Sequence, residues 1–196
     1  MATTTSKPKP KTSPTVAAVQ AAFTRFGMAP ARMIDMIEAH DFAEGLIGGK
    51  IASPEALWRV QRRSGAGVFL YHEEERLTGI VANVLLSPAG LKAIWDETFD
   101  ALDPAPRHIC READEPAAVY AWGIAASNHP AAKQMLDALG AMVTGAIPHL
   151  TFFGRVATPA GRRLAIERIG FKPVPDSTTD LLWIEPFNQR APAAAA

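Results

Sequence analysis

The segment from residue 117 to residue 171 restricts the fold most, because strand-like and helix-like patterns alternate along it. A β-branched and aromatic run, AVYAWGIAAS, precedes a helix-compatible stretch that begins at Pro130. A second run of this kind, HLTFFGRVA, precedes TPAGRRLAIERIGF, a helix-compatible segment that ends in Gly-Phe. Strands that alternate with helices are typical of a sheet covered by helices. The segment therefore predicts a three-layered α/β or α+β domain.

Helix starts are marked by a repeated pair, a side-chain acceptor followed by proline. The acceptor caps a free amide, and proline at the first helical position loses an N–H that has no partner. The four pairs are Ser53-Pro54, Ser87-Pro88, His129-Pro130 and Thr158-Pro159. With two upstream apolar patterns, they predict helices at 15–26, 30–47, 54–63, 88–99, 130–143 and 159–169. Within 30–47 the apolar residues lie mainly on one face, namely Met33, Ile34, Ile37 and Leu46.

Six apolar runs predict strands. Residues 67–72 and 77–86 flank the acidic turn EEE and form a hairpin. The other predicted strands are 119–126, 150–156, 171–174 and 181–184. Nothing in the sequence marks a second domain, so one domain is expected at 15–187, with a helical part at 15–66 and a sheet part at 67–187. The Lys- and Pro-rich residues 1–14 predict a disordered tail, and 188–196 predict a flexible one.

Composition excludes several classes of function. Lys plus Arg and Asp plus Glu each number 20, and this balance disfavours binding to nucleic acid or to an anionic membrane. A single cysteine, Cys110, excludes an internal disulfide and a metal site built from several thiolates. No apolar run approaches the roughly 18 residues of a membrane span, and the N-terminus has no secretory apolar segment. We therefore expect a cytoplasmic protein without a metal.

The order of elements over residues 67–171 resembles the acyl-CoA-binding half of the GCN5-related N-acetyltransferase (GNAT) superfamily. The resemblance implies a mixed, largely antiparallel sheet flanked by helices on both faces, here with a helical N-terminal extension. In the superfamily the fourth strand diverges from the fifth, and the pantetheine arm of CoA lies in the gap. The implied function is transfer of an acetyl or other acyl group from CoA to an amine by direct attack.

The resemblance also implies where acetyl-CoA or another acyl-CoA binds. Free backbone groups of a strand bind the pantetheine amides as an added strand would, and the following helix N-terminus binds the pyrophosphate. The strand residues implied by this comparison are Gly123, Ile124 and Ala125. The residues implied at the helix start are Asn128, His129, Ala131, Ala132 and Lys133.

The chain departs from the superfamily at two functional positions. The phosphate loop usually reads Gln or Arg, two residues, Gly, one residue, and Gly or Ala. Here Ser127 replaces the first residue and Pro130 replaces the glycine, whereas Ala132 matches the last position. Pro130 removes one amide donor. The last helix carries Leu164 and Ala165 where many members have a tyrosine that protonates the departing thiolate.

Two further departures lie outside the phosphate loop. No first strand is evident before the helices at 30–63. Helix 88–99 and the polar loop 103–116 stand where the superfamily has a much shorter connection. These insertions are expected to form either an acceptor site or a partner surface.

Two side chains are candidates for the chemistry, and each has a structural alternative. Tyr120, which shares a strand face with Trp122, is either a core tyrosine or a hydroxyl that orients the acceptor. His149 is either a surface residue or a base that acts through water. His129 either caps the helix or contacts CoA. We expect Cys110 to be an unreactive thiol, because no His–Asp pair accompanies it.

Two functional hypotheses follow from these patterns. The first is an acyltransferase that acts on a small-molecule or protein amine. The second is a non-catalytic GNAT-fold module whose N-terminal helices dock a protein partner. The missing loop glycine, the missing tyrosine and the lack of an evident base favour the second hypothesis, and the order of elements favours the first.

Overall fold

A seven-stranded sheet forms the centre of the structure, a computed structural model that describes residues 12–175 and 177–189. The strands are β1 (Ala29–Pro30), β2 (Val68–Glu73), β3 (Arg76–Leu86), β4 (Ala118–Ala126), β5 (Phe152–Gly154), β6 (Lys172–Pro173) and β7 (Leu182–Ile184). Their order across the sheet is β1-β2-β3-β4-β5-β7-β6. Every neighbouring pair is antiparallel except β4 and β5, which are parallel. The predicted mixed, largely antiparallel sheet is therefore confirmed.

Helices cover both faces of this sheet, as predicted. They are α1 (Pro14–Thr24), α2 (Met36–Ile47), α3 (Pro54–Ser64), α4 (Pro88–Trp95), α5 (His129–Ala141) and α6 (Pro159–Arg163). Side chains of α1 and α5 pack on one face, whereas α2 and α3 pack on the other. π-Helical turns extend α5 through Met142–Ala146 and α6 through Leu164–Ile169. None of the helices in the described residues is long and apolar enough to cross a bilayer.

Serine–proline pairs start the helices as the sequence predicted. The hydroxyls of Ser53 and Ser87 accept from the amides of Ala56 and Gly90. Ser13-Pro14 starts α1 in the same way and so falls inside the predicted tail. The amide of Ser13 donates to the carbonyl of Glu112 over 2.8 Å, which fixes this end of the chain. Residues 1–11 and 190–196 of the two predicted tails lie outside the described residues.

Several predicted boundaries were wrong, and those of α2, α4 and α5 are examples. Helix α5 begins at His129 because Asn128, a better acceptor, caps it, and Pro130 occupies the first turn rather than the first position. The region 30–47 is not one helix: Met33–Asp35 is a 3₁₀ turn and α2 begins at Met36. Helix α4 ends at Trp95 instead of residue 99, and Glu97 just beyond it has a positive φ of 54°.

The first strand of the sheet is present, although the sequence showed none. β1 consists of two residues, Ala29 and Pro30, which pair with Leu70 and Phe69 of β2. A strand this short carries no alternation that a sequence pattern can detect. The 3₁₀ turn and then α2 follow this edge strand along the chain.

Helix α2 and the 3₁₀ turn before it expose part of their apolar surface. Met36, Ala39 and Ala43 face the sheet and are buried. Met33, Ile34 and Ile37 instead point outward, with 68%, 79% and 66% of their surface exposed. We call these three residues the α2 apolar stripe.

Candidate functional site

The parallel strands β4 and β5 pair only over their first residues and then separate. Three residue pairs join them: Val119 with Phe152, Tyr120 with Phe153, and Ala121 with Gly154. Beyond Ala121, β4 continues for five residues to Ala126, and its other edge remains paired to β3. The register of the β3 pairing shifts at this point, so that Trp122 is an extra residue on β4. The backbone after Trp122 thus has one edge that β5 does not cover.

A cleft of about 380 Å³ occupies the space between the separated strands. One wall is β4 from Ala121 to Ala126, and the opposite wall is the segment after β5 together with α6. Leu46 and Ile47 at the end of α2 close one side. We call this space the β4–β5 cleft. Its volume falls within the range of small-molecule sites, and its elongated backbone wall suits an extended ligand.

The residues that line the cleft are mostly apolar. Among the described residues, Arg155 is the one charged side chain of the lining, and none of the lining residues carries a carboxylate or an imidazole. The guanidinium of Arg155 lies 3.6 Å from the carboxylate of Asp180. Leu164 and Ala165 of the α6 extension line the wall where the superfamily tyrosine is expected. The cleft can therefore enclose an apolar chain, but it offers no side chain that removes a proton.

The start of α5 follows three residues after Ala126, the last residue of β4 in the cleft lining, and has few free donors. The amide of Ala131 donates to the side-chain oxygen of Asn128 over 2.8 Å, and that of Ala132 donates to the Asn128 carbonyl. Pro130 has no N–H. The side-chain amide of Asn128 donates to the carboxylate of Glu73 over 2.8 Å. An anion bound here therefore meets one fewer amide and a neighbouring negative charge.

Tyr120 lies next to the cleft, in a second and smaller space. This space, which we call the Tyr120 cavity, is lined by Ile94, Glu97, Phe99, Tyr120, Arg155, Thr179 and Leu181. Arg155 lines both the cavity and the cleft. Tyr120 is 4% exposed, and burial raises the pKa of its hydroxyl. The hydroxyl consequently stays protonated at neutral pH and acts as a donor, not as a base.

The predicted insertions supply one wall of the Tyr120 cavity. Ile94 of α4 and the residues that follow it, Glu97 and Phe99, face Tyr120, and the Phe99 and Tyr120 rings lie 5.2 Å apart. Hydrogen bonds from Ser177 and Thr178 lower the pKa of the Glu97 carboxyl. Glu97 is therefore ionised, and it tethers the loop between β6 and β7 to the end of α4.

The structure brings together only part of the predicted set of site residues. Gly123, Ile124 and Ala125 line the cleft, whereas Asn128, His129 and Lys133 are exposed at the start of α5. Ala131 is buried and Ala132 is half-buried. The ammonium group of Lys133 pairs with Asp137 one turn further along α5. Tyr120 faces its own cavity, and the roles of all these residues remain predictions.

His149 lies apart from the other candidates. It is exposed in the turn before β5, whereas the cleft opens at the opposite end of that strand. His149 does not line the cleft among the described residues.

Two features of the site were missed by sequence reasoning. Arg155 was placed inside a strand predicted at 150–156, but β5 ends at Gly154 and Arg155 lies at the mouth of the cleft. An apolar pocket beside Trp122 was missed because its residues come from distant parts of the chain. The one signal available was the charge of Arg155, which is unusual directly after the buried run TFFG.

The remaining reactive groups do not join the site. Cys110 is buried, and burial together with Asp114 and Glu115 raises its pKa to about 11. The thiol is therefore protonated and unreactive at neutral pH, as expected. The described residues contain no group of three or more His, Cys, Asp or Glu side chains placed to hold a metal ion.

No known protein-family profile matches the sequence, and no curated protein matches it. Among solved structures, the chain is similar to GphF, a GNAT-like decarboxylase in complex with isobutyryl-CoA, with 17% identity, a TM-score of 0.48 and coverage of 71% of each chain. It is also similar to a structure described as histone acetyltransferase HPA2 and related acetyltransferase, from Corynebacterium glutamicum. That match has 14% identity, a TM-score of 0.47, and coverage of 85% of this chain and 98% of the other.

Both similarities are distant, and neither indicates an activity for this chain. The mixed, largely antiparallel sheet and the separation of β4 from β5 are the features that the sequence resemblance predicted. The chain has a GNAT-like fold.

Proposed function

We propose that this protein is an acyl-CoA-dependent N-acyltransferase that transfers an acetyl or other acyl group from CoA to an amine of a small molecule or a protein. The supporting observation is the β4–β5 cleft: two parallel strands separate after three residue pairs and leave an apolar space of about 380 Å³. A core packed to ordinary density would fill such a space. An unfilled one beside an uncovered strand edge suits an extended ligand.

In this proposal the pantetheine arm lies along β4 as an additional strand. The backbone of Gly123, Ile124 and Ala125 faces the cleft and binds the two pantetheine amides. Asn128, His129, Ala131, Ala132 and Lys133 lie where the pyrophosphate would follow, at the start of α5. The thioester then lies where β4 leaves β5, close to Trp122 and Arg155.

The acyl transfer is a single displacement. The lone pair of a neutral amine attacks the thioester carbonyl carbon, the C–N bond forms, and the C–S bond breaks. The proton lost by the nitrogen ends on the departing thiolate or on solvent. A thiolate with a pKa near that of cysteine, about 8.5, departs without a strong acid, so the lack of the superfamily tyrosine lowers the rate without preventing the reaction.

Tyr120 and Arg155 are the polar groups proposed to act next to the thioester. Because its hydroxyl stays protonated, Tyr120 orients the acceptor as a hydrogen-bond donor. Arg155 lines both spaces and places a positive charge near the developing oxyanion. The sequence-based role of His149, a base acting through water, requires solvent to connect the two ends of β5.

Ligand-induced stabilisation tests this proposal. With CoA at about one hundred times its Kd, we expect roughly 2.7 kcal/mol of stabilisation and a rise in Tm of about 5–10 °C. Ala165→Trp fills the cleft from the α6 wall and should remove the shift. Ala21→Trp, the same change on the exposed face of α1, should leave the shift intact. An unchanged Tm of the wild-type protein with millimolar CoA and acetyl-CoA would refute the proposal.

A second function is favoured by the α2 apolar stripe. Met33, Ile34 and Ile37 lie within five residues of one another and are each at least 66% exposed. Groups of exposed apolar residues mark protein interaction sites more often than isolated ones do. In this alternative the chain is a non-catalytic GNAT-fold module that docks a protein partner through its N-terminal helices.

Two measurements separate the alternatives. Deletion of the N-terminal helices is unsuitable, because Val16, Val19 and Phe23 of α1 are fully buried in the core. Ile34→Ser with Ile37→Ser changes only the exposed stripe. The docking alternative predicts that this double variant loses its partner in cells and that CoA leaves Tm unchanged. The acyltransferase proposal predicts the CoA shift in both the wild-type protein and the double variant.

A further inference from the structure

A second apolar space lies beside the β4–β5 cleft, on the side of α2. It has a volume of about 50 Å³, and three residues, Ile47, Trp122 and Gly123, line both this space and the cleft. We call it the side pocket. The side pocket and the cleft are therefore adjacent, with these three residues between or beside them.

The lining of the side pocket is apolar. Small residues from three separate elements leave the space empty: Ala43 of α2, Ala52 before α3, and Ala82 of β3. These three alanines are 7%, 6% and 5% exposed, so this part of the lining is formed by buried residues. Among the described residues, no lining side chain carries a charge, a hydroxyl or an amide. Such a space binds hydrocarbon and disfavours polar groups.

Trp122 forms the wall between the side pocket and the point where β4 leaves β5. It is the extra residue of the register shift on β4. Its indole N–H donates to the carbonyl of Ala101, which fixes the ring and satisfies its polar atom. The ring thus presents an apolar surface beside the position that the proposed function gives to the thioester.

We propose that the side pocket receives the acyl tail of the thioester, so that the donor is an acyl-CoA larger than acetyl-CoA. This inference rests on the proposed function and assigns its substrate class. A water molecule needs about 10–15 Å³ of such space, so the pocket accepts about three to five carbon atoms beyond the carbonyl carbon of the acyl group. The expected donors carry straight or branched acyl groups of about four to six carbons.

The acyl tail fits the side pocket better than the acceptor does. An amine acceptor brings an ammonium group or a polar amine into the site, and burying it without a partner costs several kcal/mol. The polar side chains near the thioester, Tyr120 and Arg155, lie in the separate Tyr120 cavity. The Tyr120 cavity has a volume of only about 10 Å³, so it takes at most the amine group itself, whereas the side pocket takes the acyl tail.

A series of thioesters bound to the full-length protein tests the assignment by isothermal titration calorimetry. The probes are CoA, acetyl-CoA, butyryl-CoA and hexanoyl-CoA. Two added methylene groups that become buried give about tenfold tighter binding. We therefore expect butyryl-CoA to bind about ten times more tightly than acetyl-CoA, and hexanoyl-CoA to bind at least as tightly as butyryl-CoA.

Two pocket-filling variants locate the tail. Ala43→Leu fills the pocket from α2, where leucine suits a helix, and Ala82→Val fills it from β3, where valine suits a strand. Each variant should bind CoA and acetyl-CoA as the wild type does and lose the preference for butyryl-CoA. Ala22→Leu, at a half-buried position of α1 on the other face of the sheet, is the matched control and should keep the preference.

Each possible result of the series is decisive. Equal Kd values for acetyl-CoA and the longer thioesters, with CoA itself bound, refute the side-pocket assignment and leave the proposed function standing. A preference for butyryl-CoA that survives in folded Ala43→Leu and Ala82→Val protein places the tail elsewhere and also refutes the assignment. Failure of CoA and of every thioester to bind refutes the proposed function and this inference together.

Discussion

The two ends of the β4–β5 cleft are built differently. At the end where β4 leaves β5, a hydrogen bond fixes Trp122, and the apolar side pocket is separate from the Tyr120 cavity. Arg155 lines this cavity and the cleft. At the other end, Pro130 removes an amide, and Asn128 occupies another amide and binds Glu73. In the proposed function, the end that holds the acyl group is preorganised, whereas the end that meets the phosphates is short of donors. We call these the acyl end and the phosphate end.

This difference indicates where the binding energy for a donor comes from. Phosphates are bound by free amides and positive charge at a helix start, and both are reduced at α5. An extended amide chain and an apolar tail are bound by a strand edge and a dry pocket, and both are present at the other end. We expect pantetheine and acyl contacts to dominate affinity, so changes at the two ends should affect different measurements.

The largest effect is expected at the acyl end, from Tyr120→Phe. Removing the hydroxyl that orients the acceptor should lower kcat for amine acylation by about tenfold or more, with the Kd of CoA unchanged. Because burial raises the pKa of Tyr120, the hydroxyl stays protonated at least up to the usual tyrosine pKa of about 10. The ratio of wild-type to variant kcat should therefore be constant from about pH 6 to pH 9.

Tyr71→Phe is the matched control, since Tyr71 is half-buried on β2 and lines neither the cleft nor the Tyr120 cavity among the described residues. If the Tyr120→Phe variant keeps the wild-type kcat, Tyr120 has only a structural role in the core. A ratio that rises through neutral pH would indicate a tyrosinate base and contradict the donor role.

A smaller effect is expected at the phosphate end, from Glu73→Gln. The side-chain oxygen of glutamine still accepts from Asn128, so the change removes a charge while keeping the contact. Because the carboxylate repels the pyrophosphate, we expect the variant to bind CoA about fivefold more tightly at low ionic strength and less so at high salt. Glu74→Gln removes the same charge from the neighbouring turn residue and controls for long-range electrostatics.

An acyl-pantetheine, which lacks the phosphates of CoA, makes this test more discriminating. An acyl-pantetheine contacts only the strand edge and the acyl end, so its Kd should be equal in wild type and Glu73→Gln. If both ligands gain equally from the substitution, the pyrophosphate does not lie at α5, and the contrast between the two ends is wrong.

Local sequence patterns were sufficient to predict most of the fold. The serine–proline pairs located α3 and α4 because a cap and a proline act within a few residues. The hairpin of β2 and β3 was visible because two apolar runs flank the acidic turn. Glu74 and Glu75 in this turn have φ values of 49° and 65°, a backbone that twists in the sense a two-residue hairpin needs.

The candidate site was harder to predict because its parts meet only in three dimensions. The position of Gly123 to Ala125 along the cleft followed from the family resemblance. The side pocket depends on alanines at positions 43, 52 and 82, and each of them reads as an ordinary core residue by itself. The end of β5 at Gly154, which turns Arg155 into a site residue, depends on where the strands separate and not on any local pattern.

The smallest expected effect comes from Pro130→Ala, which adds the missing amide to the first turn of α5. One more donor toward the pyrophosphate should tighten CoA binding about threefold and leave acyl-pantetheine binding unchanged. Replacing proline also increases the conformational entropy of the unfolded chain, which lowers the stability of the folded protein by about 0.4–1 kcal/mol. Pro54→Ala, at the start of α3 and away from the cleft, should show the stability loss without the gain in affinity.

Calorimetry on the two variants separates these effects: a gain in CoA affinity for Pro130→Ala alone indicates that the scarcity of donors limits phosphate binding at α5. Equal affinities in both variants would instead mean that Glu73, or the absence of phosphate contacts altogether, is what distinguishes this end of the cleft.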